Sequence, residues 1–192
     1  MKDRIRVRED RVLSKGWAVL RSVTFDYRRR DGDWQTMTRE VYDRGHGAVI
    51  LPYDPVRGTV LLVSQFRYPA YATGHAAPLI EAIAGLLDDT SPEDTIRREA
   101  EEEAGCRIGE ARKVFEAFMS PGSVTEKLTF FVAPYSAADR VGAGGGLAAE
   151  GEDIEVLEPT LEEALAMVAD GRIVDAKTIM LLQYVRLNSL AG

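Results

Sequence analysis

The sequence predicts an α/β fold with a mixed sheet, a few helices packed on it, and a β-hairpin extension at the N-terminus. Two observations carry this prediction. Apolar, β-branched segments of strand length recur along the chain and are separated by turn residues. Three other segments have the start and stop signals of helices. Strands therefore predominate, and helices would cover them.

The first predicted strands form a hairpin. Segments 17–27 and 34–43 have strand composition, and Arg30-Asp31-Gly32-Asp33 between them has the composition of a tight turn. We assign residues 1–44 to this extension and 45–192 to the main domain. Segment 59–66 is an almost continuous apolar run, which predicts a strand buried on both faces. The other predicted strands are 46–52, 112–119, 126–135 and 153–158.

The best defined helix begins at Ser91, a typical N-cap residue, with Pro92 in the first turn. It is expected to reach about Ala104, with Gly105 as its left-handed end. Two further helices are predicted from the capping box Thr160/Glu163 with Gly171 as the stop, and from Asp175 as the cap of 176–187.

Composition excludes several function classes. The net charge is −7, from 24 basic and 31 acidic residues, so general attraction to nucleic acid is not expected. Cys106 is the one cysteine, which excludes an intrachain disulfide and suits the cytoplasm. No apolar run is long enough to predict a membrane span. Basic residues crowd the first 30 positions, where they form either solvated strand charge or an anion-binding or interface surface.

Segment 97–105 (RREAEEEAG) carries the most specific chemical signal. At about 100° per residue, Glu99, Glu102 and Glu103 fall within an arc of about 100° on one strip of the helix. Glu101 points the other way, where Arg97 is expected to pair with it. The strip therefore presents three carboxylates together.

This strip is unfavourable by itself, because like charges repel and the helix C-terminus disfavours anions. Arg98 is expected to offset part of the repulsion through Glu102. One interpretation is an ordinary acidic surface helix. The other is a site for Mg²⁺, with Mn²⁺ as the alternative ion, because a hard cation prefers a few carboxylate oxygens, water and substrate phosphates.

Residues 136–152 (SAADRVGAGGGLAAEGE) form a glycine-rich loop. A loop of this length is either a lid over a site or a disordered surface insertion. Glu150 and Glu152 lie at its far end, just before the strand at 153–158, which favours the functional interpretation.

Segment 85–106 (GLLDDTSPEDTIRREAEEEAGC) resembles the signature of the Nudix hydrolases, G-x5-E-x7-R-E-U-x-E-E-x-G-U with U aliphatic. Two departures are a gap one residue short and Ser91 in place of the first glutamate. Cys106 occupies the last aliphatic position. The matching residues are Gly85, Arg98, Glu99, Ala100, Glu102, Glu103 and Gly105.

The resemblance extends over most of the chain. Segment 81–85 (EAIAG) is similar to the E-x-P-A-G segment of the ADP-ribose pyrophosphatase branch. The segments similar to the GDP-mannose pyrophosphatase subgroup are 38–44, 119–126, 144–158 and 175–181. The resemblance implies an α/β/α sandwich around a mixed sheet, and a homodimer whose N-terminal strands are exchanged or pack across the two-fold axis.

The resemblance also implies residue roles. The metal ligands would be Glu99, Glu103 and the Ala84 carbonyl, with Glu102 in support. Glu152 would bind metal or act as the general base, with Glu150 as its rival. The implied substrate contacts are Arg67, Glu126 and Lys177, together with Trp17, Arg39 and Glu40 near the dimer seam.

The resulting hypothesis is a hydrolase of a nucleoside diphosphate sugar, in which GDP-mannose would give GMP and mannose 1-phosphate. The alternative enzyme is an ADP-ribose pyrophosphatase that gives AMP and ribose 5-phosphate. A third possibility, from another class, is a non-catalytic nucleotide-sensing domain on the same fold.

Overall fold

The computed structural model describes residues 1–87 and 90–191, with Glu150 described by its backbone only. Within this part of the chain, each helix is too short or too polar to cross a bilayer. The strands are β1 (Ile5–Lys15), β2 (Val19–Arg28), β3 (Trp34–Asp43), β4 (Gly47–Asp54), β5 (Thr59–Val60), β6 (Leu62–Gln65), β7 (Leu79–Glu81), β8 (Ile83–Leu86), β9 (Arg112–Phe118), β10 (Lys127–Pro134) and β11 (Glu155–Leu157). The helices are α1 (Tyr68–Ala72), α2 (Pro92–Ala104), α3 (Leu161–Ala169) and α4 (Ala176–Leu187).

One compact unit contains residues 1–46 and 118–127. Its sheet has the order β1-β2-β3, and both pairs are antiparallel. The predicted hairpin is confirmed as β2 and β3, closed by a turn in which the Arg29 N–H donates to the Asp33 carbonyl at 2.8 Å. Strand β1 was not predicted from the sequence. All eleven of its residues are exposed, so no buried face imposes an apolar alternation on it.

The second unit contains residues 47–117 and the chain from Leu128 onward. Strand β4 is central, since it pairs in parallel with β10 and antiparallel with β8 and β5. Strand β9 lies beside β10. The predicted mixed sheet is therefore confirmed, and the 112–119 and 126–135 segments are neighbours in it.

The apolar run at 59–66 forms two short strands, β5 and β6, which belong to different sheets. It is fully buried from Val60 to Val63, as predicted. The strand is interrupted at Leu61, because β5 pairs with β4 whereas β6 belongs to a separate sheet of order β11-β6-β7. Strands β7 and β8 and helix α1 were not predicted from the sequence.

The predicted helix signals are confirmed. The Ser91 hydroxyl accepts a hydrogen bond from the Asp94 backbone N–H at the start of α2, and Gly105 ends the helix at φ 59°. Thr160 and Glu163 form the expected capping box of α3, and Asp175 caps α4. The apolar stripe of α2 is fully buried against strands of the central sheet, through Ile96, Ala100 and Ala104. Helix α4 also packs on β4, through a face that includes buried Leu181, Leu182 and Val185.

Candidate active site

The carboxylate strip of α2 lies beside strand β8, and Gly85 permits the close approach. A β-carbon at Gly85 would lie 2.3 Å from Glu99 Oε1, far inside van der Waals contact. A larger residue at position 85 would therefore displace the Glu99 carboxylate from its present position. The motif residues Gly85 and Glu99, fourteen positions apart, are direct neighbours in space.

Glu103 is the most buried member of the strip, with 2% of its surface exposed. Burial raises the pKa of Glu103 to about 8, with further contributions from the negative charges of Glu99 and Glu152. A hydrogen bond from the backbone N–H of Ala84 and the charge of Arg67 oppose this rise. A carboxylate held in a buried, negative environment is typical of a functional site.

The glycine loop packs onto the C-terminal end of α2. The Gly145 N–H donates to the Glu103 carbonyl at 2.9 Å, and the Gly146 N–H donates to the Glu102 carbonyl at 3.1 Å. These are carbonyls that a helix end leaves without partners. At Gly144, where φ is +72°, a β-carbon would lie 2.3 Å from the Glu103 carbonyl oxygen. The glycine content of this loop is thus explained in part by its close packing on α2, which the sequence alone did not indicate.

Glu152, at the end of that loop, lines a cavity of about 440 Å³. One oxygen of its carboxylate accepts a hydrogen bond from the Leu147 N–H at 2.8 Å. The other cavity residues are Ser64, Gln65, Phe66, Arg67, Pro78, Gly151, Asp153, Ile154 and Glu155. The side chain of Glu150, the rival for the same role, lies outside the described residues.

The residues of this region fit a bound cation. Glu103 Oε2 is buried and has no hydrogen-bond partner among the described residues, which is unusual for a carboxylate unless an ion satisfies it. No three His, Cys, Asp or Glu side chains of the described residues converge as a preformed cluster. Mg²⁺ does not require one, because it keeps several waters and uses one or two protein carboxylates plus substrate phosphates.

The ion pairs of α2 differ in part from those expected. Arg98 reaches Glu102 at 3.7 Å, as predicted, and also approaches Glu99 at 3.1 Å. The predicted Arg97–Glu101 pair is wrong. Arg97 pairs instead with Glu93 at 2.6 Å. Glu101 lies 3.5 Å from Arg107, which follows the helix. Both Glu93 and Glu101 lie four positions from Arg97, and the pair that forms has the acidic residue N-terminal to the basic one, which is the more favourable order in a helix.

A buried carboxylate holds two of the proposed substrate-contact cations. Glu81 Oε1 lies 2.5 Å from Lys177 Nζ, and Glu81 Oε2 lies 2.8 Å from Arg67 Nε. Lys177 also pairs with Asp175 at 3.0 Å. The two cations, 110 positions apart in sequence, are thus joined through one side chain at the end of β7.

The remaining proposed substrate contacts lie in the first unit. Trp17 is 71% exposed, and the Arg44 guanidinium lies 5.2 Å from its ring centroid. Arg44 also pairs with Glu126 at 3.1 Å, so it contacts two proposed substrate-binding residues, Trp17 and Glu126. Arg39 and Glu40 are consecutive and exposed on β3, so their side chains point to opposite faces of that strand.

Glu81 and Arg44 are the residues that sequence analysis passed over. Glu81 is a single charge within the apolar run LIEAIAGLL, and a lone charge in a buried strand is a signal for a paired group. Arg44 offered no such signal, because it lies among other charged residues after β3.

Two family models match the chain, over residues 4–42 and 43–182. A family model described as "NUDIX domain" matches residues 43–182. The chain therefore belongs to the Nudix family, whose hydrolases generally use divalent metal ions. The prediction of a Nudix pyrophosphohydrolase is confirmed. A second model, "GDP-mannose pyrophosphatase NudK N-terminal domain", matches residues 4–42.

Among its relatives, proteins named GDP-mannose pyrophosphatase are similar over nearly the full length. The protein from Pectobacterium atrosepticum is 52% identical, over 96% of this chain and 95% of its own. Those from Citrobacter koseri and Escherichia coli O1:K1 are 50% and 47% identical, each over 99% of both chains. A solved structure described as an ADP compounds hydrolase superposes with a TM-score of 0.72, covering 95% of this chain and 92% of that one. At 17% identity this last likeness confirms the Nudix fold alone.

Proposed function

We propose that this protein is a Mg²⁺-dependent hydrolase of a nucleoside diphosphate sugar, with GDP-mannose converted to GMP and mannose 1-phosphate. The observation that supports the chemistry is the buried, unpartnered Glu103 Oε2 close to the charges of Glu99 and Glu152. The substrate assignment is supported by relatives about 50% identical that are named for this activity.

In this proposal, Glu99 and Glu103 hold the metal ion with the Ala84 carbonyl, and Glu102 supports them. The ion, when bound, neutralises charge on the pyrophosphate. Arg67 lines the cavity and would bind a phosphate oxygen. Glu152 lines the same cavity, where its carboxylate would accept a proton from the attacking water. Water then adds to one phosphorus, and the bond from that phosphorus to the bridging oxygen breaks.

Lys177, Trp17, Arg39, Glu40 and Glu126 complete the proposed set of substrate contacts. In the first unit, the exposed Trp17 ring offers a stacking surface, and Arg44 lies near this ring and pairs with the Glu126 carboxylate. The Trp17 and Glu126 side chains suit a nucleoside base or a sugar rather than the reacting phosphates. The division of the chain at residue 44 remains a prediction.

A homodimer is part of the same proposal. Strand β1 is an edge strand whose eleven residues are all exposed, among them Ile5, Val7, Val12 and Leu13. A long exposed edge strand with apolar side chains is a natural surface for a second chain. A cytoplasmic location is proposed as well, and it fits a single cysteine that is buried as a free thiol.

A nucleotide-sugar panel with and without Mg²⁺ tests the proposal. We expect release of GMP and mannose 1-phosphate from GDP-mannose that stops in EDTA and returns with Mg²⁺. Higher kcat/KM with ADP-ribose would keep the chemistry and overturn the substrate. Binding of nucleotide sugars without hydrolysis under any metal would show a sensing domain instead.

A further inference from the structure

Glu81 lies where strand β7 ends, and it is 4% exposed. Each of its oxygens is used by a different cation: Oε1 by Lys177 at 2.5 Å and Oε2 by Arg67 at 2.8 Å. A second contact fixes the same two elements, because the Ala82 N–H donates to the Thr178 hydroxyl of α4 at 2.6 Å. The carboxylate is therefore held rigidly between the start of α4 and the end of β7.

Arg67 uses only its Nε nitrogen in this pair. Its guanidinium forms no other hydrogen bond or ion pair with the described residues, which do not include the Glu150 side chain. The side chain is 43% exposed and lines the cavity together with Glu152. One edge of the guanidinium is thus anchored, and its terminal nitrogens remain available to an anion in the cavity.

A buried carboxylate with two cations is weak evidence for stability, because apolar replacement of such groups is often neutral or stabilising. Its effect on geometry is more specific. An unanchored arginine has several rotatable bonds, and it would have to be ordered each time an anion binds. Fixing the side chain in advance removes that entropic cost.

We propose that Glu81 is a positioning residue, which fixes Arg67 and Lys177 as a preorganised pair of cations for the diphosphate of the substrate. This proposal rests on the proposed function, since it takes the cavity beside Arg67 as the diphosphate site. It adds a residue that touches no substrate and acts only through the two cations.

Because Glu81 is charged, the direction of the change in anion affinity on its substitution tests the proposal. If Glu81 merely neutralised its neighbours, Glu81→Gln would leave the site more positive and would strengthen anion binding. If Glu81 positions Arg67, the same variant weakens anion binding although the net charge has become more favourable. The two explanations therefore predict opposite changes.

The experiment compares wild type with Glu81→Gln, Glu81→Asp, Arg67→Gln and the Glu81→Gln/Arg67→Gln double variant. We expect Glu81→Gln to lower kcat/KM by roughly 10-fold or more, mainly through a higher KM. Glu81→Asp should recover part of this loss. The double variant should lose less than the product of the two single losses, because part of the effect of Glu81 passes through Arg67. Glu158→Gln is the matched control, since Glu158 pairs with Arg57 and does not line the cavity.

Calorimetric titration with inorganic pyrophosphate in EDTA provides a readout that does not depend on hydrolysis. Here too Glu81→Gln should bind more weakly than wild type. Tighter binding by Glu81→Gln, or fully additive losses in the double variant, would overturn the proposal. A wild-type protein that hydrolyses no nucleotide sugar would overturn the proposed function, whereas the pyrophosphate titration would still decide the role of Glu81. Thermal unfolding of each variant separates loss of folded protein from loss of affinity.

Discussion

Gly85 and Glu99 are so closely packed that a single methyl group on Gly85 would overlap the Glu99 carboxylate. The obstructing atoms belong to the outer part of a side chain, from its γ-carbon to Oε1, so the carboxylate rather than the backbone has to move. Strand β8 thus determines where a proposed metal ligand on α2 lies.

We therefore expect Gly85→Ala to fold normally but to lose metal affinity and kcat/KM by about 10- to 100-fold, as when an outer partner of a metal ligand is changed. A Mg²⁺ titration of activity measures this. Gly109→Ala is the control, since a β-carbon there meets nothing within 4 Å and its φ is not positive. Unchanged Mg²⁺ dependence in Gly85→Ala would remove Glu99 from the metal site.

Glu103→Gln is expected to abolish most activity while the protein remains folded. The substitution keeps the shape of the side chain but removes the charge that the proposed ion requires. In EDTA the free energy of unfolding should be unchanged or slightly higher, because a buried carboxyl whose charged form is disfavoured beside two other carboxylates is replaced by a neutral amide. Steady-state rates and chemical denaturation test both statements. Wild-type hydrolysis by this variant would place the metal site elsewhere.

Glu152→Gln is expected to lower kcat far more than KM, since a general base acts in the transition state. Removal of such a base typically costs roughly 10²- to 10⁴-fold. Glu150→Gln, prepared in parallel, decides between the two glutamates of the loop. If Glu150→Gln alone does equal or greater damage, the role of base passes to Glu150.

The N-terminal sheet is expected to form the dimer contact and to support nucleotide binding, so that deleting residues 1–44 loses both. A milder test is Val7→Lys with Val12→Lys, which places charges on exposed apolar positions of β1. Sedimentation should show a dimer for wild type and a monomer for this variant. Val56→Lys, at a position 92% exposed in the β4–β5 turn, is the control and should stay dimeric. A monomeric variant with full activity would separate assembly from catalysis.

Asp54 should make the stability depend on acidic pH. The pKa of its carboxyl is lowered, first by the backbone N–H of Arg57 and then by the Arg57 guanidinium. A lowered pKa gives stability that is present above the unfolded value of about 4 and is lost as pH falls through the lower folded value. Asp54→Asn should therefore lower the free energy of unfolding by roughly 1–3 kcal/mol at pH 7. The difference should shrink as the pH falls below the unfolded pKa of about 4 and through the lower folded pKa. Denaturation across pH, with exposed Asp3→Asn as control, measures this; a constant difference would contradict it.

The sequence by itself determined the local elements and the chemical motif. Caps at Ser91, Thr160 and Asp175 act within three residues, so the helix starts follow from adjacent residues. The helical period alone places Glu99, Glu102 and Glu103 on one strip. The hairpin of β2 and β3 likewise follows from two short strands and their turn.

Only the tertiary structure decided which distant groups meet. The anchoring of Arg67 and Lys177 by Glu81 and the contact of Gly85 with Glu99 each depend on how separate elements pack. Strand β1 was missed because it is fully exposed and needs no apolar face. Local patterns reflect short-range sterics and hydrogen bonding, whereas burial and long-range charge pairs exist only after the chain has folded.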